Sequence, residues 1–161
     1  MYTFYLKFLL IATLLAASLA GVPTRAAVEG HFDRTFAVVG PVDLDVLSDA
    51  GNISLRARED GEVEIHAQIV GSNWASANQD MENRVHAIEA KPPIEQNGNT
   101  FRIRHFANQD LVRNISITYE IVVPIDTRVH SETNTGDQTL EGIRGPGDDW
   151  FGIDTRVGDH G

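Results

Sequence analysis

Apolar and polar residues alternate with a period of two through most of this chain. Val42, Leu44 and Val46 alternate with Asp43, Asp45 and Leu47. Successive side chains of a strand point to opposite faces, so this run predicts a strand with one buried face. Ile53 and Leu55 repeat the pattern against Ser54 and Arg56. Between these runs, Ser48-Asp49-Ala50-Gly51-Asn52 carries small polar side chains and a glycine, which is turn chemistry. After the tight-turn pair Asp60-Gly61, residues Val63, Ile65, Ala67 and Ile69 fall inward, with Glu62, Glu64, His66 and Gln68 outward. Phe101 and Ile103 alternate with Arg102 and Arg104 after Asn97-Gly98-Asn99. The strongest strand places Ile115, Ile117, Tyr119, Ile121 and Val123 on one face. Pro124 stops it, because proline cannot donate to a ladder.

One stretch breaks the rhythm. Ala77, Met81, Val85 and Ile88 recur at spacings of four, four and three. That spacing predicts one short amphipathic helix over 76–89, capped at its start by Ser76 or Ser72 and closed before Lys91-Pro92-Pro93. Its Met81–Val85–Ile88 stripe is expected to pack on the sheet.

The stretch from Gly136 to Gly161 holds half of the 14 glycines, and its apolar residues are only Leu140, Ile143, Trp150, Phe151, Ile153 and Val157. The segments Ser48–Leu55, Thr133–Leu140 and Asp154–Gly161 resemble one another when their glycines are aligned. Gly136 and Gly158 are 22 positions apart, a period that suits one coil of a β-solenoid. Each coil has an open edge and needs stacked neighbours, roughly three or more, for stability. The fold expected is therefore all-β, with stacked short strands of β-solenoid or β-helix type and one short helix. The third copy stops just after its corner, so a chain truncated at its C-terminus is expected.

Composition adds a compartment. Met1 to Ala26 is mostly apolar, with Lys7 and Arg25 as its basic side chains and no acid. Phe8 to Val22 is an apolar run behind Lys7. That is short for a membrane span, which wants about 20 residues, and right for a signal-peptide core of about 7–15. Cleavage is expected after Ala26, with Ala20 as the other small-residue site. The chain then divides into a signal peptide at 1–26, a β-rich body at 32–125 and an incomplete repeat segment at 126–161. Cleavage removes two of the 13 basic side chains and none of the 23 acidic ones, so the net charge moves from −10 to −12. Such a chain is a poor nucleic-acid binder, since phosphate contact needs a basic patch. The absence of cysteine excludes disulfides and thiolate metal sites. The product is expected in the periplasm, cell envelope or extracellular space, with no integral membrane segment after cleavage. Asn52-Ile53-Ser54 and Asn114-Ile115-Ser116 match the glycosylation pattern, but both sit in strand-like runs and read as chance.

The order of parts is specific. Phe32-Asp33-Arg34-Thr35-Phe36 leads to Val42–Val46, the Gly51-Asn52-Ile53 turn and Glu62–Ile65. An Ala-rich helix, Phe101–Arg104 and Ile117–Pro124 follow, and then Thr-Gly-Asp corners. This resembles the exported bacterial β-strand-repeat family of adhesin-like proteins known as DUF4097, over roughly residues 32–161. The resemblance implies a β-solenoid-like envelope protein and brings no catalytic residues. Gln138 stands where that family usually has Ile or Val, and Val157 where it has Ser or Asn.

Candidate chemistry is sparse. His31, His66, His86, His105, His130 and His160 have no zinc-site spacing, although His66 and His105 sit on strand-like runs that a sheet would make neighbours. Asp137, Asp148, Asp149, Asp154 and Asp159 lie among glycines, where calcium takes oxygen ligands. Aspartates at corners also bond their own backbone, and the full calcium repeat is absent. Glycosidase chemistry needs two carboxylates about 5–9.5 Å apart, a condition that 23 acids satisfy without any design. Trp150 and Phe151 beside Asp148 and Asp149 form the best candidate contact patch; Trp74 is a further exposed-ring candidate. No catalytic residue, metal or cofactor is assigned. The reading is a non-enzymatic envelope or surface module that meets a protein or polysaccharide partner. The alternatives are an incomplete carbohydrate-active solenoid enzyme and a calcium-stabilised surface protein.

Overall fold

The computed structural model describes residues 27–72, 78–144 and 153–157, with no structure given for the rest. The fold is all-β, with two helices. Its strands are β1 (Val28–Ala37), β2 (Val42–Ser48), β3 (Ile53–Arg58), β4 (Glu62–Gly71), β5 (Ile94–Asn97) and β6 (Thr100–Ile103). They continue as β7 (Ile115–Pro124), β8 (Thr127–Thr133), β9 (Gln138–Glu141) and β10 (Ile153–Val157). Helix α1 (Asn78–Ala90) lies between β4 and β5, and α2 (Gln109–Val112) between β6 and β7. Among the described residues, one sheet runs β1-β4-β7-β3-β9 and the other β10-β8-β2-β6-β5.

The period-two pattern sets the core. Leu44, Val46, Ile53, Leu55, Val63, Ile65, Ile69, Phe101, Ile103, Tyr119, Ile121 and Val123 are all buried, as the alternation predicts. Each such side chain contributes roughly 1.5–3 kcal/mol by leaving water. Phe36 meets Phe101 with ring centroids 5.1 Å apart, joining the first sheet to the second. Strands β1 and β5 escape the sequence reading. In β1 the inward row is Val28, Gly30, Phe32, Arg34 and Phe36, where a glycine and an arginine interrupt the apolar stripe.

Helix α1 begins at 78 rather than 76, and its proposed cap Ser76 lies outside the described residues. Its stripe packs as expected: Met81, Val85 and Ile88 are buried. The sheet is notched to receive it. A Cβ on Gly30 would sit 2.4 Å from Val85, and one on Gly71 2.5 Å from the Met81 sulfur. Arg84 ties the helix to the α2–β7 loop by donating to the Arg113 carbonyl at 2.8 Å and the Asp110 carbonyl at 3.1 Å. The second helix, α2, lacks any long period and is held by Asn108, whose side chain accepts from the Asp110 N–H.

The repeat segments stack in parallel. β8 pairs with β2 at an offset of 85, Val42 with Thr127 through Ser48 with Thr133. β9 pairs with β3 at the same offset, Ile53 with Gln138 through Arg56 with Glu141. The aligned segments Ser48–Leu55 and Thr133–Leu140 are thus true structural partners, corner included. On the opposite flank β6 pairs with β2 and β7 with β3, also parallel. The β2–β3 unit therefore lies between two others that follow it in the chain. β10 adds parallel to β8 with Ile153 opposite Val129, an offset of 24. The glycine alignment predicts 22. A slip of two positions keeps the same face inward, so periodicity alone does not separate the two registers.

Backbone contact at the corners permits this stack. The Gly51 N–H donates to the Thr135 carbonyl at 2.9 Å, and the Ile117 N–H to the Ala50 carbonyl at 2.8 Å. Gly51 has φ +116° and Gly136 φ +140°. A Cβ on Gly51 would lie 2.2 Å from the Ile117 oxygen, and one on Gly136 2.3 Å from the Gly51 oxygen. Gly98 also has positive φ, yet nothing lies within 4 Å of its Cβ position. Gly136→Ala and Gly51→Asn are expected to cost about 1–3 kcal/mol or more in urea denaturation. Gly98→Asn should be near neutral, because asparagine tolerates this conformation where space is open. Equal losses at all three sites would exclude close stacking as the cause.

Candidate functional site

The two sheets expose two charged outer faces. On the first, the alternation that buries Ile65 and Ile121 turns Glu64, His66 and Glu120 outward. β1 brings Asp33 opposite His66, and β7 brings Glu120 opposite it on the other side. His66 Nδ1 lies 2.6 Å from Asp33 Oδ1, and Nε2 lies 3.7 Å from Glu64 Oε2. Glu64 also accepts from Arg58 at 2.5 Å, and Arg58 pairs with Asp60. The hydrogen bond to Asp33 raises the His66 pKa above its ordinary 6.5, against a smaller opposing effect of burial. The hydrogen bond from Arg58 lowers that of Glu64. A shallow groove of about 510 Å³ runs over this face, bordered by Arg56, Glu64, His66, Glu120 and Glu141.

The second face is a cross-strand charge ladder. Glu95 faces Arg102, Arg102 faces Asp45, and Asp45 faces His130. Asp43 pairs with Arg128 at 2.5 Å, and Arg104 reaches Asp45 at 3.1 Å. Opposite charges directly across a sheet contribute roughly 0.2–1 kcal/mol each. A groove of about 410 Å³ lies along Asp43, Asp45, Arg102, Arg128 and His130. Both faces are long and open, a form suited to contact over area.

One enclosed site sits at the corner. A cavity of about 10 Å³, room for a single water, is lined by Ser48, Asp49, Arg104 and Tyr119. The phenol of Tyr119 is held above its ordinary pKa by burial first and by the Asp49 charge second. His105 Nδ1 lies 2.8 Å from Asp49 Oδ1 at the mouth of this corner.

The proposed patch of Asp148, Asp149, Trp150 and Phe151 lies outside the described residues, as do Trp74, Asp159 and the leader 1–26. His66 and His105 are not neighbours: His66 is in β4 of the first sheet, while His105 follows β6 of the second. Among the described residues no group of three or more His, Cys, Asp or Glu side chains is arranged to hold a metal. The backbone N–H of Asp137 donates to Asn52 Oδ1 at 3.0 Å, so this aspartate sits in a corner bond of the kind its sequence setting allows. No helix among the described residues is long and apolar enough to cross a membrane. The Asp33–His66–Glu64 row escapes sequence reasoning because β1 is not recognisable there as a strand. The signal available is the alternation of His31, Asp33 and Thr35 with Phe32 and Phe36. No family model, curated protein or solved structure matches this chain.

The raised His66 pKa links stability to pH in a defined direction. Its contribution is fully present below about 6.5 and is lost as pH rises through the higher folded value. Asp33→Asn should bring the NMR titration midpoint of His66 back toward 6.5. It should also lower the melting temperature at pH 5.5 more than at pH 9. A midpoint unmoved by the substitution would remove Asp33 as the cause.

Proposed function

We propose that this chain is an exported, non-enzymatic envelope or surface module of the DUF4097 type, built around a short β-solenoid-like stack. The observation that carries this reading is one constant pairing offset. It runs unbroken through β2 and β8, the corner, and β3 and β9. Repeated strand-corner-strand units held in one parallel register are what a β-strand-repeat protein requires. Strands β1 and β4 and the β5–β6 hairpin pair antiparallel and lie beside this stack. The function that fits is adhesin-like binding or scaffolding of a protein or polysaccharide across the two charged faces. Their open grooves offer extended area rather than a deep, convergent pocket.

Export is tested by expressing the gene with its own N-terminus in a bacterium, fractionating the cells and sequencing the product. A periplasmic or released species beginning at Ala27 is expected; a cytoplasmic species retaining Met1 would overturn it. Binding is separated from hydrolysis by incubating the protein with cell-envelope polysaccharides. Retention without new reducing ends is expected. Steady release of reducing ends that Glu64→Gln or Glu120→Gln abolishes would make it an enzyme.

A further inference from the structure

The two sheets do not hold equal shares of the stack. β6 is matched by β7, β2 by β3 and β8 by β9 across the sandwich. β10 extends the second sheet beyond β8, while among the described residues no strand extends the first sheet beyond β9. Among those residues, one strand position is open there, opposite β10.

The edge at that position is chemically defined. The Ile53 N–H donates to the Asp137 carbonyl at 2.9 Å. In a parallel ladder this turns the backbone of Asp137 and Thr139 toward β3 and that of Gln138 and Leu140 toward the open side. Leu140 is half-buried, and beside it runs an apolar groove of about 530 Å³ bordered by Ala57, Ile125, Leu140 and Ile143. On the outer face the row Val122, Arg56, Glu141 ends on an acid. The opposite edge of this sheet is treated differently. There the outward N–H of His31 in β1 donates to Glu89 of α1 at 2.9 Å, so a side chain already occupies that edge.

We propose that the β9 edge is a docking site for an extended segment of a partner polypeptide, added as a parallel strand. The segment places an apolar side chain opposite Leu140 and a basic one opposite Glu141. The chemistry is read from the strand that β9 already accepts on its other side. In β3, Ser54 faces Thr139, Leu55 faces Leu140 and Arg56 faces Glu141. A second strand of the same pattern continues the ladder, buries Leu140 and pairs Glu141 with a cation. Strand addition of this kind draws affinity from main-chain bonds and selectivity from alternate side chains. The inference rests on the stacked reading above and adds to it a class of partner.

The probe is a fluorescent peptide copying residues 52–58, Asn-Ile-Ser-Leu-Arg-Ala-Arg, titrated against the full chain by anisotropy. Saturable binding is expected. Leu140→Pro removes an outward N–H that β3 does not use, and should weaken binding about tenfold or more with little change in melting temperature. Glu141→Lys should also weaken it, and a peptide with Glu in place of its first Arg should recover affinity for that variant. If Leu140→Pro unfolds the protein, the charge exchange alone decides. No saturable binding, or binding indifferent to the exchange, overturns the proposal. Self-association abolished by Leu140→Pro would assign the edge to a second copy and overturn it equally. Should the peptide fail while Gly136→Ala still destabilises strongly, the stack stands and only the docking site falls.

Discussion

The structure depends on how closely three stretches of backbone approach one another at one corner. The carbonyl oxygens of Ile117 and Gly51 occupy the space where side chains at Gly51 and Gly136 would begin. That contact brings the corners of 115–119, 48–52 and 133–137 into line, and the hydrogen bonds between them follow. Once the corners coincide, the strands leaving them are in register on both sheets, with inner residues facing inner residues. The packing of Leu55 against its neighbours, the charge ladder and the outward row around His66 all inherit their alignment from it. Neither hydrophobicity nor strand propensity would fix this register by itself, because a slip of two positions buries the same faces.

The stack changes character from one side to the other. The middle unit is apolar inside, with Leu44, Val46, Ile53 and Leu55 all buried. In the next unit the inward positions include Ser131, Thr133 and Gln138. These polar groups are satisfied rather than stranded. Ser131 donates to the Gln138 side chain, which donates in turn to the Arg156 carbonyl of β10. Thr133 donates to the Gly51 and Thr135 carbonyls. A satisfied buried network specifies one arrangement where an apolar interior would accept several. Gln138, which departs from the family pattern, thereby joins β8, β9 and β10.

The interior of the fold is legible in the sequence and its outer chemistry is not. Alternation marks the buried faces of β2, β3, β4, β6 and β7, and the helical stripe marks α1, because burial is written in local periodicity. The paired segments around Gly51 and Gly136 are visible because both need the same turn residues. β1 is hidden by Gly30 and Arg34, and the place of Gly30 is set by Val85 and Glu89 of a helix far along the chain. Without β1, Asp33 cannot be placed against His66. Cross-strand neighbours depend on pairing order, which periodicity does not encode. The offset of β10 is equally hidden, because glycine spacing measures corners while the strands are set by their partners.

The order of the stack is not the order of synthesis. β2 and β3, the earliest repeat unit to be made, lie between units drawn from residues 100–124 and 127–141. Both of their flanks are missing until most of the chain exists, so this unit cannot serve as a finished platform for stepwise growth. Its two strands must wait, unpaired on both sides, for partners that all lie beyond Thr100 in the chain. Loop closure over such distances slows folding, and it makes the transition concerted. For this protein the central layer is a keystone set last in time although written first in sequence.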